Sequence, residues 1–338
     1  MKTLKSIKSL TLSLFITLLV GCNNGIAYKA PVFENEKTVS AQPISNIILV
    51  QGGVVGFENC YDYFVVIAKI NNKMVHLFSK ASGELVASGV ALGRANNELI
   101  DVLSYSFDPS QGELILLSSV DQKMLRVVIS KSAELTIEKA SGYNATNGNT
   151  NILKKDSDSY IKFASMPKEP NHRISIISNN KELSYYDKLP IDDIEKISRI
   201  YVQPVIAFNP DISKLVIGTK EGLIFETLSL KNNKIKELKT SYFYESIIPK
   251  TAHDIYEMYW GVTDILATDD FIYAVYIGNK GISNNCKLAK FDWNHTPLEL
   301  IEVEGYSLSY ICIDNGVIYA IARDLPDNEY RIVHIGNF

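Results

Sequence analysis

The chain has few of the residues that conventional chemistry uses. Its five histidines, His76, His172, His253, His295 and His334, stand singly, and no pair has the close spacing that puts two imidazoles on one metal ion. A Gly-x-Ser-x-Gly elbow, a Walker loop and a Gly-x-Gly-x-x-Gly turn are all missing, which excludes the common local signatures of acyl-transfer, nucleotide and dinucleotide sites. No cofactor and no metal centre is expected. Basic residues are in deficit, with 34 Lys and Arg against 38 Asp and Glu, so there is no basic stripe to hold a nucleic acid. Cysteine is scarce as well. Apart from Cys22 there are only Cys60, Cys286 and Cys312, an odd set that allows one bridge at most and makes no disulfide framework. Cys312 lies in an apolar run and reads as a small buried hydrophobe.

Long apolar runs are absent with one exception. Leu10 to Val20 follows Lys2, Lys5 and Lys8, and it is too short for an ordinary spanning helix but right for a secretory signal. It ends in Leu19-Val20-Gly21-Cys22, which resembles the bacterial lipobox, where the cysteine is diacylated and becomes the first mature residue. The resemblance implies a lipoprotein signal peptide over residues 1–21, lipidation at Cys22 and a membrane partner held through an N-terminal lipid anchor. Cleavage would remove three lysines and no acid, taking the formal charge from −4 to −7, which also disfavours docking on anionic lipid. Asn23, by resemblance to enterobacterial sorting rules, implies the outer membrane. Glu34 is the first acid after it, so the acidic cluster of Bacteroidetes surface-export signals is missing, and a periplasm-facing envelope protein is expected. Residues 22–43 are polar, include Pro31 and Pro43, and read as a tether.

What the chain does have is strands. Short β-branched and aromatic runs separated by turn signals fill residues 44–338. The clearest unit is Gly261 to Ala267, a turn at Asp269-Asp270, then Phe271 to Ile277. It recurs as Ser307 to Ile313, a turn at Asp314-Asn315-Gly316, then Val317 to Ile321. The second strand of the unit begins near Phe64, Leu114, Tyr160, Leu215, Phe271 and Val317, and successive starts fall 46 to 56 residues apart. That period predicts an all-β fold, a six-bladed β-propeller of four-stranded antiparallel blades. From Val317 only two strands fit before the end of the chain. The run Ile44 to Val50 is therefore expected to complete the last blade and close the ring, because an open edge invites aggregation. Helical spacing occurs only in Pro190 to Ser198 and in Pro249 to Trp260, and Ser141 to Asn151 reads as a loop.

Three segments carry a family resemblance. They are Gly93-Arg94-Ala95-Asn96-Asn97-Glu98-Leu99, the Thr-Asp-x-x-x-Thr-Asp-Asp-x-Ile-Tyr-Ala pattern within Trp260 to Gly278, and Leu288 to Trp293 ahead of Pro297-Leu298. With the lipobox, they resemble the TolB-like six-bladed propeller lipoproteins of Bacteroidetes over roughly residues 44–336. Where that family often has Gly-Pro-Gly-Glu, this chain has Ala95-Asn96-Asn97-Glu98. The resemblance implies a fold and an address, and it brings no general activity with it.

Two groups could form a ligand or partner surface. Arg94 and Glu98 could contact a ligand near the channel mouth, or tie their loop to the next blade through charge-assisted bonds. Tyr256, Tyr259 and Trp260, with Tyr242, Phe243 and Tyr244 nearby, could form a stacking platform or pack between blades. Asp264, Asp269 and Asp270 lack the spacing of a calcium loop and read as turn acids. The function expected is an envelope-anchored binding or scaffold module for a protein or peptide partner. The alternative is a propeller hydrolase or lyase acting on a glycan, lactone or peptide at the central channel. An Asp/Glu pair or two histidines meeting in the channel would favour the second.

Overall fold

A computed structural model describes residues 26–118, 120, 123–140, 150–164, 172–191, 204–251, 253–281 and 285–337. Six antiparallel sheets follow one another along the chain. Their second strands are Tyr63–Ile70, Glu113–Leu117, Ser159–Ala164, Lys214–Gly218, Phe271–Tyr276 and Val317–Asp324, in phase with the six starts read from the sequence. The first strands are Val54–Cys60, Ser104–Asp108, Thr150–Lys154, Val205–Asn209, Val262–Ala267 and Tyr306–Asp314. Neighbouring first strands pack against one another around the axis, with the blade 3 to blade 4 boundary the exception, so each sheet is a blade with its first strand innermost. The fold is a six-bladed propeller, as the period predicts.

The apolar runs are continuous because a blade is buried on both faces. In Phe64-Val65-Val66-Ile67-Ala68, the residues Phe64, Val66 and Ala68 pack toward blade 6, while Val65 and Ile67 pack toward blade 2. Apolar clusters of this kind occur at each of the six blade interfaces. Polar contacts supplement them. Between blades 2 and 3, the hydroxyls of Ser104 and Ser106 accept the backbone N–H groups of Ile152 and Lys154, at 3.1 and 2.6 Å. Between blades 3 and 4, Arg173 forms a fully buried ion pair with Glu226.

Ring closure follows the expected logic with different boundaries. Gln42–Pro43 forms the fourth strand of blade 6, antiparallel to Tyr330–Asn337. Pairing then continues through Ile44 N–H to the Ile332 carbonyl and an isolated bridge from Ile48 to Tyr330. Ile44 to Val50 is thus not one strand. The Ser45 hydroxyl accepts the Ile332 N–H, which interrupts the ladder, and Ile47 and Leu49 turn outward.

The tether expected over residues 22–43 needs a larger correction. Asn35–Ser40 runs parallel to Pro297–Glu304 as a fifth strand on the outer edge of blade 5. Lys37 pairs with Glu299 at 2.6 Å, and Phe33 meets the rings of Tyr276 and Phe291 edge-on. Lys29 donates its N–H to the Tyr242 carbonyl of blade 4. Residues 28–43 therefore form a strap across blades 4, 5 and 6. It covers an edge that would otherwise offer unpaired backbone groups.

The helical expectations are met only in part. Asp254–Glu257 is a single helical turn that includes Tyr256, but Trp260 lies beyond it in a bridge to Glu221, so the two are not on one helix face. Ile194 and Ile197, residues 141–149 of the expected loop, and the signal segment with Cys22 lie outside the described residues, whereas Thr150 and Asn151, the end of that loop, already belong to the first strand of blade 3. Cys60, Cys286 and Cys312 are free thiols, and Cys60 and Cys312 are buried.

Candidate functional site

The inner strands enclose a central chamber of about 1790 Å³. Bulges occur in three adjacent inner strands, at Val54/Gly56 in blade 1, Val262/Asp264 in blade 5 and Leu308/Tyr310 in blade 6. A bulge bends its strand and re-aims the side chains that follow. Here it helps present Glu58, Asp264 and Tyr310 to the chamber, where Tyr105 of blade 2 and Lys220 of blade 4 also lie. Lys220 sits on the loop between the second and third strands of its blade, at the end of the channel that carries the blade-to-blade connections.

Glu58 and Tyr105 meet directly. The phenol donates to Glu58 Oε1 at 3.1 Å. Its ring occupies the space that a Cβ on residue 56 would need, so Gly56 is what allows the approach. Two blades round the ring from Glu58, Asp264 Oδ2 accepts the N–H of Ile311 at 2.9 Å. The Thr263 hydroxyl beside it is buried with no hydrogen-bond partner among the described residues.

These groups are half-buried: they line the chamber but protein surrounds them, and that surrounding governs their proton affinity. Desolvation is the main cause that raises the Glu58 carboxyl to about 8, with the negative charge of Asp264 adding to it and the Tyr105 bond opposing. Desolvation likewise raises Asp264 to about 7, opposed by the N–H groups of Ile311 and Ile265 and by Lys220. Asp264 ionises first, so Glu58 must give up its proton in the field of a charged neighbour. Burial lowers the Lys220 ammonium, and it pushes the Tyr105 phenol well above its usual range, leaving a neutral donor. Near neutral pH Glu58 thus holds its proton more tightly than Asp264 does, and each acid lies in the field of the other.

The residues singled out from the sequence lie elsewhere. Arg94 and Glu98 are on the connection from blade 1 to blade 2, and Tyr256, Tyr259 and Trp260 on that from blade 4 to blade 5, across the ring. Neither set lines the chamber. Glu98 caps its own loop by accepting the Ala95 N–H at 2.9 Å, whereas Arg94 is exposed. Tyr259 stacks on Tyr244 with centroids 4.3 Å apart, so its face is used within the fold. Trp260 pairs through its backbone with Glu221 of the blade 4 loop and its side chain is half-buried, while Tyr256 alone of the three is broadly exposed. Asp264 is no turn acid. It belongs to an inner strand, while Asp269 and Asp270 occupy the turn at the other end of that strand. None of the five histidines lines the chamber. His295, for example, is buried between the Thr227 and Ser241 hydroxyls, and burial drives its pKa down to about 3.

Glu58, Tyr105, Lys220 and Tyr310 were not identified from the sequence, although two signals were present. Phe57-Glu58-Asn59-Cys60 and Val262-Thr263-Asp264-Ile265-Leu266 each place one acid inside a strand that immediately precedes a second strand of correct phase. In a propeller that position is the channel wall.

No family model and no curated protein matches this chain. Solved structures do. BF0058 of Bacteroides fragilis NCTC 9343, described as exported, superposes with a TM-score of 0.60 at 12% identity, over 91% of this chain and 98% of that one. A DUF4221 family member from Bacteroides vulgatus ATCC 8482 superposes with a TM-score of 0.56 at 10% identity, over 90% and 96%. At such identities the likeness is one of fold. Among the described residues no helix is long and apolar enough to cross a membrane.

Proposed function

We propose that this chain is an envelope binding module of the TolB-like lipoprotein kind, anchored through Cys22, whose central chamber receives a segment of a protein or peptide partner. The observation that carries this reading is the chamber itself. At about 1790 Å³ it exceeds the ~300–1,000 Å³ typical of small-molecule pockets, and inner strands of all six blades contribute to its lining. A preformed cavity of that size suits an extended peptide segment, whose ordering is then the main entropic cost of binding. The exported Bacteroides neighbour and the lipobox-like start of the chain support the envelope address. The test is crosslinking in cells followed by purification of the lipidated protein from outer membranes. A stoichiometric protein or peptide partner is expected, and recovery of the protein alone from cells rich in it would contradict the reading.

One observation favours a second reading, a hydrolase or lyase acting in the same chamber on a glycan, lactone or peptide. Glu58 and Asp264 have the split proton affinities of a general acid and a general base near neutral pH. A bell-shaped pH–rate profile against such substrates, lost in both Glu58→Gln and Asp264→Asn, would establish it.

A further inference from the structure

The walls of the chamber are unequal in charge. Nine acids line it against four bases, a formal charge of −5. Three of the bases are already engaged by acids of the same wall. Lys154 bonds Asp108 and Glu113, Arg126 bonds Glu113, and Lys155 bonds Asp156. The fourth, Lys220, lies in the field of Asp264.

Glu58 accepts a hydrogen bond only from the neutral phenol of Tyr105 among the described residues, with no cation beside it. A carboxyl in such surroundings either keeps its proton or needs a cation beside it, because an isolated charge withdrawn from water is expensive. Two such carboxyls, on blades 1 and 5, with one weakened lysine on blade 4, make a site short of positive charge. Tyr105 and Tyr310 add aromatic rings to the chamber lining, and π-faces also favour cations. Among the described residues no three metal-ligating side chains converge. An organic cation, which needs carboxylates and rings but no closed ligand shell, is the better match.

We infer that the chamber recognises a positively charged group, an ammonium or guanidinium such as a lysine or arginine side chain carries, seated by Glu58 and Asp264 and flanked by Tyr105 and Tyr310. This rests on the chamber being the binding site and specifies what the occupant must carry. Binding is then coupled to protons. The titrating groups that face the cation are Glu58, Asp264 and Lys220, while Tyr105, Tyr310 and the buried Cys312 thiol next to Glu58 stay neutral. A cation stabilises both carboxylates in their charged form, so protons leave as it enters.

The experiment is calorimetric titration of the folded chain with three probes: a terminally blocked Ala-Lys-Ala peptide, the same peptide with norleucine replacing lysine, and free butylamine. The lysyl peptide should bind at least about tenfold more tightly than the norleucyl one, in line with the cost of leaving a buried charge unpaired. The heat should vary with the buffer's ionisation enthalpy, reporting proton release. Glu58→Gln and Asp264→Asn, each checked for an intact melting transition, should each erase most of the preference. Should one variant fail to fold, the other together with the proton count still decides. Butylamine binding as strongly as the lysyl peptide would identify a free amine as the source of the cation, and much weaker binding would identify a peptide. Equal binding of lysyl and norleucyl peptides would overturn the inference while leaving the chamber as a peptide site. Absence of binding by all three at millimolar concentration would overturn it as well, and the crosslinking result would then judge the binding-module reading separately.

Discussion

The phenolic oxygen of Tyr105 on blade 2 lies 3.1 Å from Glu58 Oε1 on blade 1, and the contact exists because residue 56 has no side chain. A Cβ there would meet the aromatic ring, so Gly56→Ala must push Tyr105 aside. Overpacking of this kind costs about 1–3 kcal/mol, measurable by chemical denaturation. Tyr105→Phe tests the bond without the clash. The hydrogen bond lowers the Glu58 pKa, so its loss should raise that value above about 8 in a side-chain NMR titration. An unchanged titration would show that the bond has no electrostatic weight.

The two channel acids set how stability responds to alkali. The folded chain holds the Glu58 proton more tightly than the unfolded chain does, from a reference of 4.5 to about 8, and Asp264 likewise from 3.8 to about 7. The stabilisation is therefore complete below the unfolded values and is lost as pH rises through the folded ones. Relative to the parent, Glu58→Gln should become more stable by roughly 2–4 kcal/mol between about pH 5 and pH 9, allowing for channel water. His295 acts in the opposite sense. Its folded pKa is depressed from 6.5 to about 3, so its contribution is present above the unfolded value and lost as pH falls below it. Melting temperatures across pH, for parent and variant, check both limbs.

Arg173 and Glu226 join blades 3 and 4 at relative exposures of 1% and 2%. Truncating one partner leaves the other charge buried and alone, which costs about 3–5 kcal/mol. Glu226→Ala should lose that much in denaturant unfolding. Replacing the pair together with Met and Leu should cost much less, because no stranded charge remains.

The strap makes the N-terminal segment structural. Deleting residues 26–40 uncovers the Pro297–Glu304 edge and removes Phe33 from its aromatic contacts. A fall in melting temperature of roughly 3–8 °C is expected, with a new tendency to associate through the exposed edge. A free tether would leave both properties unchanged.

The blades were legible in the sequence because a strand buried on both faces must be apolar throughout, and runs such as Phe64 to Ala68 have few other uses. Their period then fixed the blade number. The strap was not legible. Asn35–Ser40 is almost wholly exposed, so it has no hydrophobic pattern, and backbone pairing leaves no mark on composition. The chamber was half legible. Asp264 stood out, but as a turn acid, because its role depends on which strand is innermost and on Glu58 lying far away in sequence. Tyr259 and Trp260 stand out in the sequence as aromatics, and within the fold Tyr259 stacks on Tyr244 while Trp260 bridges to Glu221 through its backbone.

The central claim is that the partner engages the chamber and not the outer connections. It is tested most directly by placing a photo-crosslinking amino acid at Val55, on the chamber wall, or at Tyr256, 59% exposed on the outer connection, in cells carrying the full-length protein. A partner captured from position 55, with little from position 256, is the predicted result. Capture from position 256 alone would contradict the account and return the site to the blade-top loops.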